Sequence, residues 1–88
     1  MKRTHFVVAV HVTDRLQRVP EVQQLFSEYG CYIKTRLGIH EAQDTACSPN
    51  GLILLEMLYD QTACAEFVGK LSAIGGVEVQ TVEFAHEA

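Results

Sequence analysis

The chain has 88 residues, of which 48% are hydrophobic and 20% are charged, and its formal net charge is −4. These values predict one domain, residues 1–88, that is neither disordered nor basic enough to bind a phosphate backbone. The 3 cysteines lack paired spacing and are odd in number, which argues against both a disulfide framework and a zinc site. The apolar segments are too short to span a membrane. We expect a cytoplasmic protein that needs no cofactor and binds neither nucleic acid nor a membrane.

The first two predicted elements are a central strand and a helix. Thr4 to Val12 alternates weakly, and both of its faces are largely apolar at the centre, which indicates a strand inside a sheet. Asp14, with Gln17 three residues later, has the pattern of a helix N-cap. An apolar stripe of helical spacing then runs from Leu16 to Tyr29, and Gly30 ends the helix.

A hairpin is predicted next. The period changes to two from Cys31 to Ile39, which indicates a half-buried edge strand. Gly51 to Asp60 is the longest nearly unbroken apolar run and predicts a central strand covered on both faces. In the edge strand, the predicted inward face consists of Cys31, Ile33, Thr35, Leu37 and Ile39.

The last predicted elements are a second helix and a fourth strand. Asp60 is expected to cap a helix whose apolar stripe runs from Cys64 to Ile74. Val77 to Phe84 predicts the last strand, and a change of phase near its end indicates a bulge or a strand covered on both sides. Residues 85–88 are expected to form a disordered tail.

The order βαββαβ predicts an α+β fold, the ferredoxin-like plait, with two helices on one face of a four-stranded antiparallel sheet. Right-handed crossovers place the first and third strands in the middle. The other face is predicted to carry many aliphatic side chains, an arrangement that marks contact with another molecule. We therefore predict a homodimer or homotetramer whose interface includes Val7, Ala9, Leu52, Leu54 and Leu58. The full predicted face also includes His11, Tyr32, Lys34, Arg36 and Glu56.

Several segments resemble the iron-only hydrogenase system regulator family. The most specific is Tyr32 to Ile39, which ends in Arg36-Leu37-Gly38-Ile39 and resembles the second strand of that family. The resemblance extends over most of the chain, through Asp14-Arg15, Val22, Leu25, Gly76-Val77 and Phe84. It implies a small stand-alone ACT-like domain that acts as a regulatory oligomer rather than an enzyme.

The loop after the first strand is the predicted ligand site. It combines the exposed amides of a helix N-terminus with a cation at Arg15 and an acceptor at Asp14, at the rim of an apolar subunit junction. The predicted ligand-binding residues are His11, Thr13, Asp14 and Arg15. The partner is expected to be a small-molecule effector or a regulatory protein. In the simpler alternative, Asp14 only caps the first helix. Gln17 and Arg18 stand where amino-acid-binding ACT sites have a glycine, which argues against an amino-acid ligand.

Three other functions are less favoured. One is a structural or protein-interaction module without a ligand. Another is a nickel sensor, but His5, His11, His40 and His86 form no His-x-His pair, so no metal site is predicted. The third is a small dimeric α+β barrel enzyme, which would need a polar pocket between sheet and helices. No catalytic motif is present.

The three thiols are predicted to differ in accessibility. Cys64 lies on the apolar stripe of the second helix and Cys31 on the inward face of the second strand, so both are expected in the core. Cys47 lies in a polar loop, where a thiol is more accessible, but no adjacent basic residue favours a redox role.

Overall fold

Two central strands with apolar residues on both faces organise the fold, as the sequence predicts. The computed structural model describes the backbone of residues 2–13, 15–39 and 51–87 and the side chains of residues 4–13, 20–38 and 51–85. The sheet is antiparallel with the strand order β2-β3-β1-β4, which is that of a ferredoxin-like plait. Its elements are β1 (Lys2–Val12), α1 (Arg15–Glu28), a 3-10 turn (Gly30–Tyr32), β2 (Ile33–Ile39), β3 (Gly51–Met57), α2 (Gln61–Ser72) and β4 (Val77–Glu87).

The hydrophobic core lies between the two helices and one face of the sheet. Val8 of β1 is paired with Leu55 of β3, and both side chains are fully buried. Phe67 of α2 is also fully buried, with its ring centroid 5.1 Å from that of Tyr29 and 6.0 Å from that of Phe26. Burial of an aromatic side chain of this kind stabilises the fold by about 1.5–3 kcal/mol, so these contacts fix the helices on the sheet. The buried residues that the structure describes are all apolar.

The start of α2 confirms the predicted cap. The Asp60 carboxylate oxygen Oδ1 accepts a hydrogen bond of 2.9 Å from the Ala63 backbone N–H, which is otherwise unsatisfied in the first turn.

Polar contacts join the two helices. Lys70 Nζ lies 5.2 Å from the centre of the Tyr29 ring and 3.7 Å from Glu28 Oε2. The Tyr29 hydroxyl donates to Glu66 Oε2 at 3.4 Å. Hydrogen bonding and charge interaction with the Tyr29 side chain raise the pKa of Lys70 above its ordinary value of 10.5, with smaller contributions from the two carboxylates.

A β-bulge changes the predicted faces of β2. The register with β3 shifts between Ile33 and Thr35, so that two residues of β2 oppose one residue of β3. Thr35 and Leu37 therefore share the face of Glu56 and Leu54, opposite the helices. The Arg36 guanidinium lies on the helix side, 4.9 Å from the centre of the Phe26 ring.

The predictions that placed Arg36 and Tyr32 on the face opposite the helices are therefore wrong. Tyr32 ends the 3-10 turn and packs against the core.

The last strand is longer and more regular than predicted. Its pairs with β1 run without interruption from Val12–Val77 to Lys2–Glu87, so the phase change is not a bulge. Residues 85–87 are part of this pairing, so the expectation of a disordered tail is wrong for them. In this register, Val82 and Phe84 face away from the helices.

Candidate functional site

The face of the sheet opposite the helices, called the open face below, carries most of the exposed apolar side chains of the described chain. Leu37, Val82 and Phe84 on the outer strands are 55%, 48% and 60% exposed, which is high for side chains of this size. Between them lie partly buried residues of the central strands. The described residues of the open face are His5, Val7, Ala9, His11, Thr35, Leu37, Leu52, Leu54, Glu56, Glu78, Gln80, Val82 and Phe84, with Lys34 at the bulge.

The predicted interface residues meet at the centre of this face. Ala9 is directly opposite Leu54, and Leu54 is opposite Leu37 on the other side. Val7 and Leu52 are in the adjacent rows, next to Glu56 and His11 respectively. Leu58 follows the end of β3 and is half-exposed, and its backbone N–H donates to the Tyr32 carbonyl at 2.7 Å. The sheet thus brings four of the five predicted interface residues into one apolar patch.

A cluster of charged groups lies beside that patch. Glu56 Oε2 is 3.3 Å from His5 Nδ1 and 3.6 Å from Lys34 Nζ, which places a carboxylate between two basic groups of neighbouring strands. Lys34 thus pairs with Glu56 on the open face, whereas Arg36 donates to Gln23 Oε1 at 3.3 Å on the helix side.

A second polar group lies at the other end of the open face. His11 Nδ1 is 3.5 Å from Glu78 Oε1 across the β1–β4 pair. A small recess of about 210 Å³ opens here, lined by Ala9, His11, Leu52, Glu78 and Gln80. Its lining combines two apolar side chains with three polar ones, as small-molecule sites do, and its volume is below their usual range of about 300–1,000 Å³.

The predicted loop site is only partly described. Thr13 donates to the carbonyl of Gly76 twice, from its backbone N–H at 2.7 Å and from Oγ1 at 2.8 Å. Gly76 has φ of 81°, a conformation that favours glycine, so the Thr13 side chain secures a tight turn before β4. Asp14 and the side chain of Arg15 lie outside the described residues. Among the predicted ligand residues, His11 therefore reaches the recess, and Thr13 has a structural role.

Sequence reasoning missed Glu78 and Gln80 in the recess, as well as Leu37, Val82 and Phe84 in the apolar patch. Glu78 and Gln80 alternate with Val77 and Val79, a pattern that predicts a strand and does not by itself indicate a site. The signal that identifies them is the pairing of His11 with Glu78 and of Ala9 with Gln80.

Of the two thiols that the structure describes, one lies where the sequence predicts it. Cys64 is buried, as predicted, and its Sγ donates to the Leu58 carbonyl at 3.7 Å. Cys31 is exposed because it lies in the 3-10 turn and not in β2, so its predicted core position is wrong. Cys47 and His40 lie outside the described residues.

Within the described side chains, no three His, Cys, Asp or Glu residues form a group that could hold a metal ion. None of the helices described is long and apolar enough to cross a membrane.

No protein-family model and no curated protein sequence matches this chain. Among solved structures, an uncharacterized protein from Thermotoga maritima is similar, with 26% identity and a TM-score of 0.78. The similarity covers 94% of this chain and 98% of the Thermotoga chain.

A CPII protein and a PII-like protein are more distant structural neighbours. The CPII protein from Thiomonas intermedia, solved with ADP, AMP and acetate, has 6% identity and a TM-score of 0.56, over 100% of this chain and 93% of that chain. A putative PII-like signalling protein from Thermus thermophilus has 14% identity and a TM-score of 0.52, over 97% of this chain and 91% of that chain. At these identities the likeness concerns the fold. With the strand order and the single helical layer, it shows that this chain is a ferredoxin-like α+β domain.

Proposed function

We propose that this chain is an ACT-like regulatory domain that self-associates through its open face and senses a small molecule or a protein partner at the subunit junction. The observation that carries the proposal is the exposure of Leu37, Val82 and Phe84 around the central Ala9–Leu54 pair. Apolar patches of this kind on small domains mark contacts with another molecule, and a second copy offers a surface of the same composition.

The charged groups of the open face support burial in such a contact. Glu56 has His5 and Lys34 as basic partners, and Glu78 has His11. Burying a carboxylate that has no charged partner costs much more free energy than burying one that keeps its partner. Glu56 can therefore enter an interface together with the ammonium group of Lys34, whereas His11 pairs with Glu78 as an ion only when its imidazole is protonated.

The recess at His11, Glu78 and Gln80 is the proposed sensing site. It lies at the end of the face, and a second copy packed on the apolar patch would cover it from above. Glu78 supplies a hydrogen-bond acceptor, and Gln80 supplies both a donor and an acceptor. Each ring nitrogen of neutral His11 donates or accepts according to the tautomer. These groups suit a small polar effector enclosed at a subunit junction.

The regulatory target we propose is an iron-only hydrogenase system, and we propose no catalytic activity for the chain. The resemblance of Tyr32 to Ile39 to that regulator family supports the target. In a host with such a hydrogenase, deleting this protein should change hydrogenase activity, and wild-type protein should restore it. Leu54→Asp protein of equal abundance should fail to restore it. Unchanged activity after the deletion would remove the target from the proposal.

Native mass spectrometry with a thermal-shift screen of metabolites tests the assembly and the sensing site together. We expect a dimer or tetramer and at least one metabolite that raises the unfolding temperature of the wild type. His11→Ala and Gln80→Ala should lose that increase, whereas Gln24→Ala, a control on the exposed side of α1, should keep it. A clean monomer would overturn the proposed assembly. A metabolite that stabilises all variants equally would place sensing outside the recess, and a full screen without a hit would favour a ligand-free interaction module.

A further inference from the structure

A larger cavity, more open to solvent than the recess at His11, lies on the opposite side of the sheet from the open face. It occupies about 400 Å³ between α2 and the helix-facing side of β4, near the end of β3. This volume lies within the range of small-molecule sites. Among its lining residues are Phe6, Tyr59, Cys64, Val68, Thr81 and Glu83. Neither the subunit junction nor the recess at His11 involves these residues.

The walls of the cavity are mainly apolar and aromatic. The ring centroids of Phe6 and Tyr59 are 5.8 Å apart, with an angle of 57° between the ring planes. Val68 is partly buried, and Cys64 is buried with its thiol hydrogen-bonded to the Leu58 carbonyl. The thiol is therefore part of the wall. Such walls suit a flat apolar group about the size of one aromatic ring.

One carboxylate gives the cavity a charge. Glu83 is the single charged residue among those that line it, and no hydrogen bond or ion pair joins Glu83 to another described side chain. Thr81 is the next residue along β4 on the same face, and its hydroxyl adds a donor and acceptor. A positively charged group next to the apolar walls would complement this arrangement.

Gly69 keeps the space open. It lies inside α2, where glycine costs about 0.5–1 kcal/mol relative to alanine because of its backbone freedom. A Cβ built at this position would have no heavy atom within 4 Å, so no close packing of the described chain requires the glycine. Since Gly69 also lines the cavity, its missing side chain leaves room that a larger residue would fill.

We infer that this cavity is a binding site for a small cationic amine with an aromatic or similarly sized apolar body. The apolar body of the ligand contacts the Phe6 and Tyr59 rings on one side and the Val68 side chain on the other. Its ammonium group donates a hydrogen bond to the Glu83 carboxylate. This second site is independent of the proposed regulatory function and of the subunit contact.

The test is a titration of the ¹⁵N-labelled protein with 2-phenylethylamine, followed by NMR, with 3-phenylpropanoate as a matched probe of opposite charge. We expect saturable shifts of the backbone amides in residues 59–69 and 81–83, with a dissociation constant on the order of 1 mM for a ligand of this size. The carboxylate probe should bind at least about fivefold more weakly. No saturation with the amine, equal binding of both probes, or shifts confined to other residues would overturn the inference.

Three variants check the assignment. Gly69→Leu should abolish the amine-induced shifts by filling the cavity, whereas Ser72→Leu, on the exposed end of the same helix, should leave them unchanged. Glu83→Gln should weaken amine binding roughly two- to fivefold and reduce the preference for the amine over the carboxylate. Because Glu83 is exposed, this variant tests the inference even if Gly69→Leu fails to fold. Amine binding unaffected by Glu83→Gln would contradict the role of the carboxylate.

Discussion

Ala9 lies directly opposite Leu54 in the pairing of β1 with β3, and neither side chain is fully buried although both strands are at the centre of the sheet. On the other face of the same two strands, Val8 and Leu55 are fully buried under the helices. At these two neighbouring pairs both faces of the central strands are apolar, but they differ in burial. A second copy packed on the open face would bury Ala9 and Leu54 as the helices bury Val8 and Leu55. We therefore assign self-association to the open face.

Leu54→Asp should convert the assembly to monomers. The new carboxylate would lie between Ala9 and Leu37 and would have no basic partner in an interface, at a cost of about 3 kcal/mol or more, or roughly a hundredfold in the dissociation constant. Sedimentation velocity at micromolar concentration measures the effect, with circular dichroism to verify folding. Ser72→Asp, on the exposed end of α2, serves as the control and should sediment like the wild type. A folded Leu54→Asp protein that still assembles would place the interface elsewhere.

The central strands and the Asp60 cap could be predicted from local patterns in the sequence, and the strand order from the right-handed crossovers between the strands. The faces of the outer strands could not be predicted in the same way. A bulge near Lys34 reverses the alternation after Ile33, and a two-residue period in the sequence does not reveal where a bulge occurs. In β4 the apolar residues change from the helix side to the open face after Val79, because the open face is itself apolar.

Arg36 and Lys34 should affect different properties, because the bulge places them on opposite sides of the sheet. Arg36→Ala removes the contact with the Phe26 ring and the hydrogen bond to Gln23, and should lower the free energy of unfolding by about 0.5–1 kcal/mol. Urea unfolding in the Leu54→Asp background measures this change without a contribution from assembly.

Lys34→Ala should instead weaken assembly of the otherwise wild-type protein, because Glu56 loses a basic partner. Its effect on unfolding in the Leu54→Asp background should be smaller than that of Arg36→Ala. If Lys34→Ala lowered the free energy of unfolding and Arg36→Ala weakened assembly instead, β2 would pair with β3 in a different register.

Gly69→Ala should stabilise the fold by about 0.5–1 kcal/mol. Alanine restricts the unfolded backbone and favours the helix, and its Cβ meets no atom within 4 Å. Chemical denaturation of Leu54→Asp proteins with and without Gly69→Ala measures this change in the free energy of unfolding. A loss of stability would mean that the space beside Gly69 is smaller than described and would also weaken the cavity assignment.

Lys70 should contribute a pH-dependent part of the stability. Its pKa is raised in the folded state, chiefly by the Tyr29 side chain, so the stabilising effect is fully present below pH 10.5 and decreases as the pH rises above that value. The difference in free energy of unfolding between the wild type and Lys70→Met should therefore shrink above pH 10.5. A difference that grows with pH would contradict the direction of the shift.

An isotope-filtered nuclear Overhauser experiment can show whether two copies of the chain meet through the open face. Equal amounts of ¹³C-labelled and unlabelled protein are mixed, and only contacts between different copies are recorded. We expect intermolecular signals from the methyl groups of Leu37, Leu54 and Val82. Intermolecular signals only from residues of α1, α2 or the cavity beside Gly69, or none at concentrations where native mass spectrometry detects an oligomer, would contradict the account.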